Sequence, residues 1–170
     1  MLTSTLLTSI APARAGTPRS PRPSRPPTST ITPDQTLGLS RGQILNLVDN
    51  DFNLHNDTSI DGLPMSKGFT KDKLALMEVI GDPANITRVM LGIVLPKGNE
   101  SARITNTALL LRVFLNTAPG WKESGRWIIE AIGQVSKEPD HKTAEIVHDH
   151  RRYTLAYLQA GGIALAVTHE

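Results

Sequence analysis

Two helix-type segments lie between two groups of strand-type segments, and this order leaves few fold classes open to the chain. Residues 100–117 and 121–135 repeat apolar residues at helical spacing, and a Pro-Gly pair at 119–120 separates them. Before residue 100 and after residue 135, the apolar runs are short and rich in β-branched residues, which is typical of strands. Strands that cluster in runs, instead of alternating with helices, favour an α+β fold with a largely antiparallel sheet.

The strand-type runs predict a sheet of about five strands packed against two or three helices. Residues 49–72 are polar, and Gly62, Pro64 and Gly68 interrupt them, so we expect at most one short strand there, within 57–63. The runs that qualify as strands cover residues 74–80, 86–95, 143–147, 152–158 and 163–168.

The first helix is predicted to begin at Ser40. Ser40 and Gln43 form an S-x-x-Q capping box, in which each side chain satisfies a free amide of the first turn. The same serine lies in a Gly-x-Ser-x-Gly sequence at 38–42, the pattern of a nucleophile elbow. That turn requires a buried strand before the serine, and residues 31–37 have no strand pattern. We therefore interpret Ser40 as a helix cap and not as a nucleophile.

The segment at 100–117 is apolar over most of its circumference, and a helix of this kind is normally buried on more than one side. It is also the segment that offers a protein partner an apolar face. One set of its apolar residues repeats at helical spacing: Ile104, Ala108, Leu111 and Leu115. A second set widens that stripe: Leu109, Leu110, Val113 and Phe114.

The first 36 residues differ in composition from the rest. Residues 1–15 are mildly apolar and end in Ala-Arg-Ala, the small-x-small pattern of a signal-peptide cleavage site, which predicts export to the periplasm or the medium. Residues 16–36 are rich in proline, which fixes φ and removes amide donors, so we expect a disordered linker. The predicted organisation is a signal peptide over 1–15, a linker over 16–36 and one soluble α+β domain over 37–170.

Charge and cysteine content exclude several classes of protein. The formal net charge is +2, but four of the 18 basic residues and one of the 16 acidic residues lie in the first 36 positions. The remainder is close to neutral, so no nucleic-acid partner is expected. The chain contains no cysteine, which excludes disulfides, thiolate metal sites and a cysteine nucleophile. No apolar run is long enough for an integral membrane segment, and no motif predicts a cofactor.

His148 and His150 form the first candidate metal site. Two imidazoles at i and i+2 of a strand share one face, and zinc accepts such ligands. A third ligand would have to come from elsewhere, for example from Asp140 or His141. The alternative interpretation is a hairpin turn centred on Asp149.

A second candidate lies at Asp49, Asp51 and Asn53, whose spacing resembles the first ligands of an EF-hand calcium loop. Leu54 and Ile60 stand where that loop needs glycine and glutamate, which disfavours an EF-hand. An irregular calcium site and a solvated helix exit are both left open.

Trp121 and Trp127 are six residues apart and are expected on different sides of a helix, with one in the core. The other is open to two interpretations, an exposed anchor for a partner and, the favoured one, partial burial without function. No complete catalytic constellation is recognisable in the spacing of the polar residues. The sequence therefore favours an exported, non-catalytic binding or interaction module for a protein or a small ligand. The alternative is a metal-assisted, hydrolase-like enzyme with its site near His148 and His150. The sequence specifies neither the ligand nor the oligomeric state.

Overall fold

A computed structural model of the chain describes residues 35–48, 51–137, 143–159 and 161–170. The predicted signal peptide and nearly all of the predicted linker lie outside these ranges. The described elements follow the chain as α1 (Arg41–Leu47), β1 (His55–Ile60), β2 (Leu63–Phe69), β3 (Ala75–Asp82), β4 (Asn85–Val94), α2 (Glu100–Thr117), α3 (Ser124–Lys137), β5 (Thr143–His148), β6 (Arg151–Leu158) and β7 (Gly162–His169). The predicted α+β class is confirmed.

All the strands join one antiparallel sheet in the order β1-β2-β3-β4-β7-β6-β5. The described residues form a sheet of seven strands, so the predicted number of about five is wrong. Where the sequence indicated at most one short strand, within 57–63, the structure has two, β1 and β2. Strand β1 is exposed at five of its six positions and therefore lacks the apolar alternation of a half-buried strand.

Residues that were interpreted as breakers occupy defined positions in the β1–β2 hairpin. Asp61 and Gly62 form the turn with φ of 53° and 78°, the left-handed conformations that a tight hairpin turn requires. Gly68 lies within β2, where a Cβ atom would come 2.5 Å from the carbonyl oxygen of Asn53. The segment 57–63, predicted to contain one short strand, thus spans a turn between two strands.

The three helices cover one face of the sheet. Helix α2 packs on β4 and β7, α3 packs on β5 and β6, and α1 packs beside α2. This arrangement forms two layers around one apolar core. Residues of the core that are almost completely buried include Ile44, Met77, Leu91, Leu110, Val113, Phe114, Ile128, Leu155 and Leu165.

The predicted capping box at the start of α1 is confirmed. The Ser40 hydroxyl accepts a hydrogen bond from the Gln43 amide at 3.2 Å, and the Gln43 side chain accepts one from the Ser40 amide at 2.7 Å. Arg41 then donates to the hydroxyl of Ser66 at 2.8 Å and to the side chain of Asn56 at 3.3 Å. Ser40 therefore caps α1, and the hydrogen bonds of Arg41 connect α1 to the β1–β2 hairpin, which is the first hairpin of the sheet.

Candidate functional site

The side of α2 that faces away from the sheet carries an apolar stripe. Ile104 is 62% exposed and Leu115 is 44% exposed, although both are aliphatic. Ala108 is also exposed, and Leu111 is half-buried. These four residues lie on one side of the helix because their spacing is 4, 3 and 4 residues. We refer to them as the α2 stripe.

The core contact of α2 is made by its opposite side. The residues there are Asn106, Leu109, Leu110, Val113, Phe114 and Thr117. The periodic set predicted from the sequence therefore lies outermost, while the residues expected only to widen it face the sheet. Since both sides are apolar, periodicity alone does not distinguish the core side from the outer side.

A groove of about 620 Å³ runs beside the α2 stripe, between α2 and the loop that joins β2 to β3. In that loop, the Asp72 carboxylate accepts hydrogen bonds from the Thr70 hydroxyl at 2.6 Å and from the Leu74 amide at 3.0 Å. These two bonds lower the pKa of Asp72, so the loop presents a fixed negative charge. The groove is lined by Asp51, Thr70, Lys71, Asp72, Ile104, Thr105, Asn106, Ala108, Leu109 and Arg112.

An aromatic cluster lies at the C-terminal end of α2. The Phe114 ring is 5.3 Å from Tyr153, 5.8 Å from Trp121 and 5.4 Å from Trp127, measured between centroids. The two tryptophan rings are themselves 5.8 Å apart, so the prediction that they point to different sides is wrong. Trp121 precedes α3, which begins at Ser124, and helical spacing does not apply to the pair.

The structure gives the candidate metal ligands His148 and His150 separate surroundings. The His148 ring stacks on Trp121 at 4.7 Å, as part of the aromatic cluster. His150 lies in the β5–β6 turn with φ of 57°, and its ring stacks on His169 at 6.4 Å. Within the described ranges, no group of three or more His, Asp or Glu residues is placed to hold a metal ion. The suggested third ligands at 140 and 141 lie outside those ranges.

Of the calcium candidates, Asp49 lies outside the described residues. Asp51 and Asn53 have exposed side chains, and the Asp51 amide donates to the carbonyl oxygen of Val48 at 2.9 Å. The Asn53 carbonyl lies against Gly68, so its backbone is used to pack the first hairpin. The Asp51 amide bond is one that a helix exit makes, and the irregular calcium site stays a prediction.

A second cavity, of about 510 Å³, lies at the end of the sheet beside the β1–β2 turn. Its ionisable lining residues come from three places in the chain: Asp61, Arg88 and the pair His169 and Glu170. Sequence reasoning missed this cavity because the register of β4 and β7, which brings Arg88 beside Thr168, is a tertiary property. We found no sequence signal that marks it.

No helix in the described part of the chain combines the length and the apolar character needed to cross a bilayer. Comparisons of the chain with protein-family models, with curated proteins and with solved structures gave no match.

Proposed function

We propose that this chain is an exported, non-catalytic interaction module that binds a protein partner through the α2 stripe. The observation that carries the proposal is the exposure of Ile104 and Leu115 on a helix whose other side is core. The two residues are 11 positions apart, which is about 16 Å along a helix. An aliphatic stripe of this length matches what a partner helix or an extended segment covers.

The groove beside the stripe indicates the chemistry of the partner. It combines aliphatic groups of α2 with acidic and basic groups, among them Asp72 and Lys71 of the β2–β3 loop. A protein segment with an apolar side and polar flanks of both charge signs complements that lining. A polyanion such as nucleic acid would meet the carboxylates of Asp51 and Asp72 and is not the partner we propose.

The contacts of the histidines support a non-catalytic role. His148 is held against Trp121 in the aromatic cluster, and His150 stacks on His169. A metal-assisted enzyme would need the imidazoles of His148 and His150 to converge on one ion with a further ligand.

The metal-assisted alternative stays a prediction, and elemental analysis of protein purified from its native host tests it. We expect well below one zinc ion per chain, whereas one zinc ion that is lost in His148→Ala would favour the enzyme.

Export is proposed from the sequence pattern at 13–15 alone. If it is correct, N-terminal sequencing of the protein from the extracytoplasmic fraction will begin at Gly16. A chain that is found only in the cytoplasm, with residues 1–15 retained, would contradict this part of the proposal.

Site-specific photo-cross-linking tests the binding surface. A benzoyl-phenylalanine placed at Ala108, in the middle of the α2 stripe, should give an adduct of one discrete mass in the native host. The same probe at Gln134, which is exposed on α3, is the matched control and should give none. Ile104→Glu in the same chain should remove the adduct by placing a charge in the contact. Equal labelling at both positions, or an adduct insensitive to Ile104→Glu, would refute the proposal.

A further inference from the structure

The sheet face opposite the helices is left uncovered by the described part of the chain. Ala75, Met77 and Val79 of β3 belong to the core on the helix side, so Leu76 and Glu78 between them point the other way. We call the face on which these two residues and their register partners lie the open sheet face. Its middle is partly exposed and consists mainly of aliphatic and small residues: Leu76, Met90, Gly92, Ala156, Ala164 and Ala166.

Side-chain size changes systematically across one row of this face. The register places six residues side by side on six neighbouring strands, in the order Phe69, Leu76, Gly92, Ala164, Ala156 and Thr143. The β2–β3 end of the row is bulky, and Phe69 is 46% exposed. The β7–β6 end is small, and a depression of about 220 Å³ forms beside Gly92 and Ala164.

This row is complementary to itself. A two-fold axis that lies parallel to the strands and passes over Gly92 would place Leu76 of one copy above Ala164 of the other. The same axis would place Phe69 above Ala156, because each of these residues is two strands from the centre. Large residues would thus enter the space left by small ones on both sides, as an isologous interface requires.

The adjacent row carries charges of both signs, which pair within each chain as Lys67–Glu78 at 3.1 Å and Arg152–Glu145 at 3.1 Å. The order there is Lys67, Glu78, Met90, Ala166, Thr154 and Glu145. Lys67 of one copy would face Thr154 and the neighbouring Glu145 of the other, while Met90 would meet its own copy. Arg88 lies in line with Met90 and Gly92 on β4 and would also meet its own copy, a like-charge contact that the aliphatic centre of the face has to outweigh.

The size of the face is sufficient for a dimer. Seven strands at a spacing of about 4.8 Å, each with about six residues of about 3.4 Å rise, span about 29 by 20 Å. Two such faces would bury roughly 1,200 Å², which is the lower end of the range for specific interfaces. A dimer of this size is expected to dissociate on dilution.

We propose that the open sheet face is a self-association surface, and that its occupant is a second copy of this chain packed sheet on sheet about Gly92. The surface lies on the other side of the sheet from the α2 stripe, so the inference does not rest on the proposed function.

Analytical ultracentrifugation of the full chain over a range of concentrations tests the inference. We expect a monomer–dimer equilibrium with a dimer of twice the 18.5 kDa chain mass. Ala164→Glu should raise the dissociation constant about tenfold or more, because it places a charge in the centre of the contact. Phe69→Ala should weaken the dimer as well. Because Phe69 is exposed, this variant should keep the fold, and it carries the test if Ala164→Glu does not fold. Ile129→Ala removes a side chain that is 65% exposed on α3 and should change nothing.

Cross-linking locates the contact, since the chain has no cysteine of its own. Gly92→Cys should be joined to its copy by a bis-maleimide of about 10 Å span, the distance between packed sheets. Gln134→Cys is the control and should not be joined.

A monomer at every concentration would overturn the inference, as would equal cross-linking at both positions. A dimer that resists Ala164→Glu and Phe69→Ala but is lost in Ile104→Glu would also overturn it. That last result would move self-association to the α2 stripe and would leave the proposed binding surface standing.

Discussion

The Tyr153 hydroxyl donates a 2.6 Å hydrogen bond to the main-chain carbonyl oxygen of Thr117. The same oxygen accepts a 2.7 Å hydrogen bond from the Arg151 guanidinium. Thr117 is the last residue of α2, where carbonyl groups have no donor within the helix. Arg151 also donates to the carbonyl oxygen of Leu37 at 2.8 Å. One strand, β6, thus anchors both the end of the longest helix and the segment before α1.

Removing either donor should destabilise the fold to a different extent. Tyr153→Phe loses one hydrogen bond while Arg151 still satisfies the carbonyl, so we expect a loss of about 1 kcal/mol in the free energy of unfolding. Arg151→Ala withdraws a charged donor from two carbonyls and should cost about 2–3 kcal/mol. Urea denaturation measures both values. Tyr157→Phe is the control, because the Tyr157 hydroxyl makes no hydrogen bond with the described residues; a loss as large as that of Tyr153→Phe would contradict the argument.

The same tyrosine predicts a pH dependence. Burial raises the pKa of Tyr153 above its ordinary value of about 10, although the neighbouring Arg151 partly opposes this shift. Because the folded-state pKa lies above the unfolded one, the contribution to stability is complete below pH 10. It is lost as the pH rises through the folded-state pKa. In Tyr157→Phe, the single remaining tyrosine should ionise above pH 10 when absorbance at 295 nm is followed; ionisation at or below pH 10 would contradict the prediction.

His148 and His150 should differ sharply in their effect on tryptophan fluorescence. The His148 ring covers one face of Trp121, which is only 9% exposed, so His148→Ala should open that indole to solvent. We expect a red-shifted emission and stronger quenching by acrylamide. His150 stacks on His169 instead, and His150→Ala should leave both quantities unchanged. Equal effects of the two substitutions would show that the histidines share one environment.

The parts of the fold that could be predicted depend on contacts that are close in sequence. The Ser40 cap involves residues three apart, and the bounds predicted for α2, 100–117, are those observed because Asn99 and Pro119 flank it. The first hairpin was missed for a physical reason. Its outer strand, β1, is exposed at five of its six positions. Its inner strand, β2, needs glycine at position 68 because the backbone of residues 53–54 comes too close for a Cβ atom, and no local sequence pattern encodes that contact.

The candidate site was only partly predictable for the same reason. The sequence predicted that α2 is apolar on more than one side, but packing on β4 and β7 determines which side is buried in the core. The size gradient from Phe69 to Ala156 exists only after five strands have taken their register, so the open sheet face has no sequence signal. His148 and His150 were adjacent in the pattern, yet their ring partners come from distant elements.

Gly68 provides a stringent test of the first hairpin. A Cβ at this position would lie 2.5 Å from the Asn53 carbonyl oxygen and 2.9 Å from the Leu54 amide nitrogen, both of which are backbone atoms that cannot turn aside. Gly68→Ala should therefore shift β2 or the 53–54 segment and lower the free energy of unfolding by about 2 kcal/mol or more.

Urea denaturation measures the loss, and hydrogen exchange should localise it to amides of β1 and β2. Gly133→Ala is the matched control, since nothing lies within 4 Å of a Cβ at that position in α3. Alanine is the better helix former, so this control should gain about 0.5–1 kcal/mol. If Gly68→Ala were as stable as the parent chain, the close approach of residues 53–54 to β2 would be wrong, and the packing of the first hairpin with it.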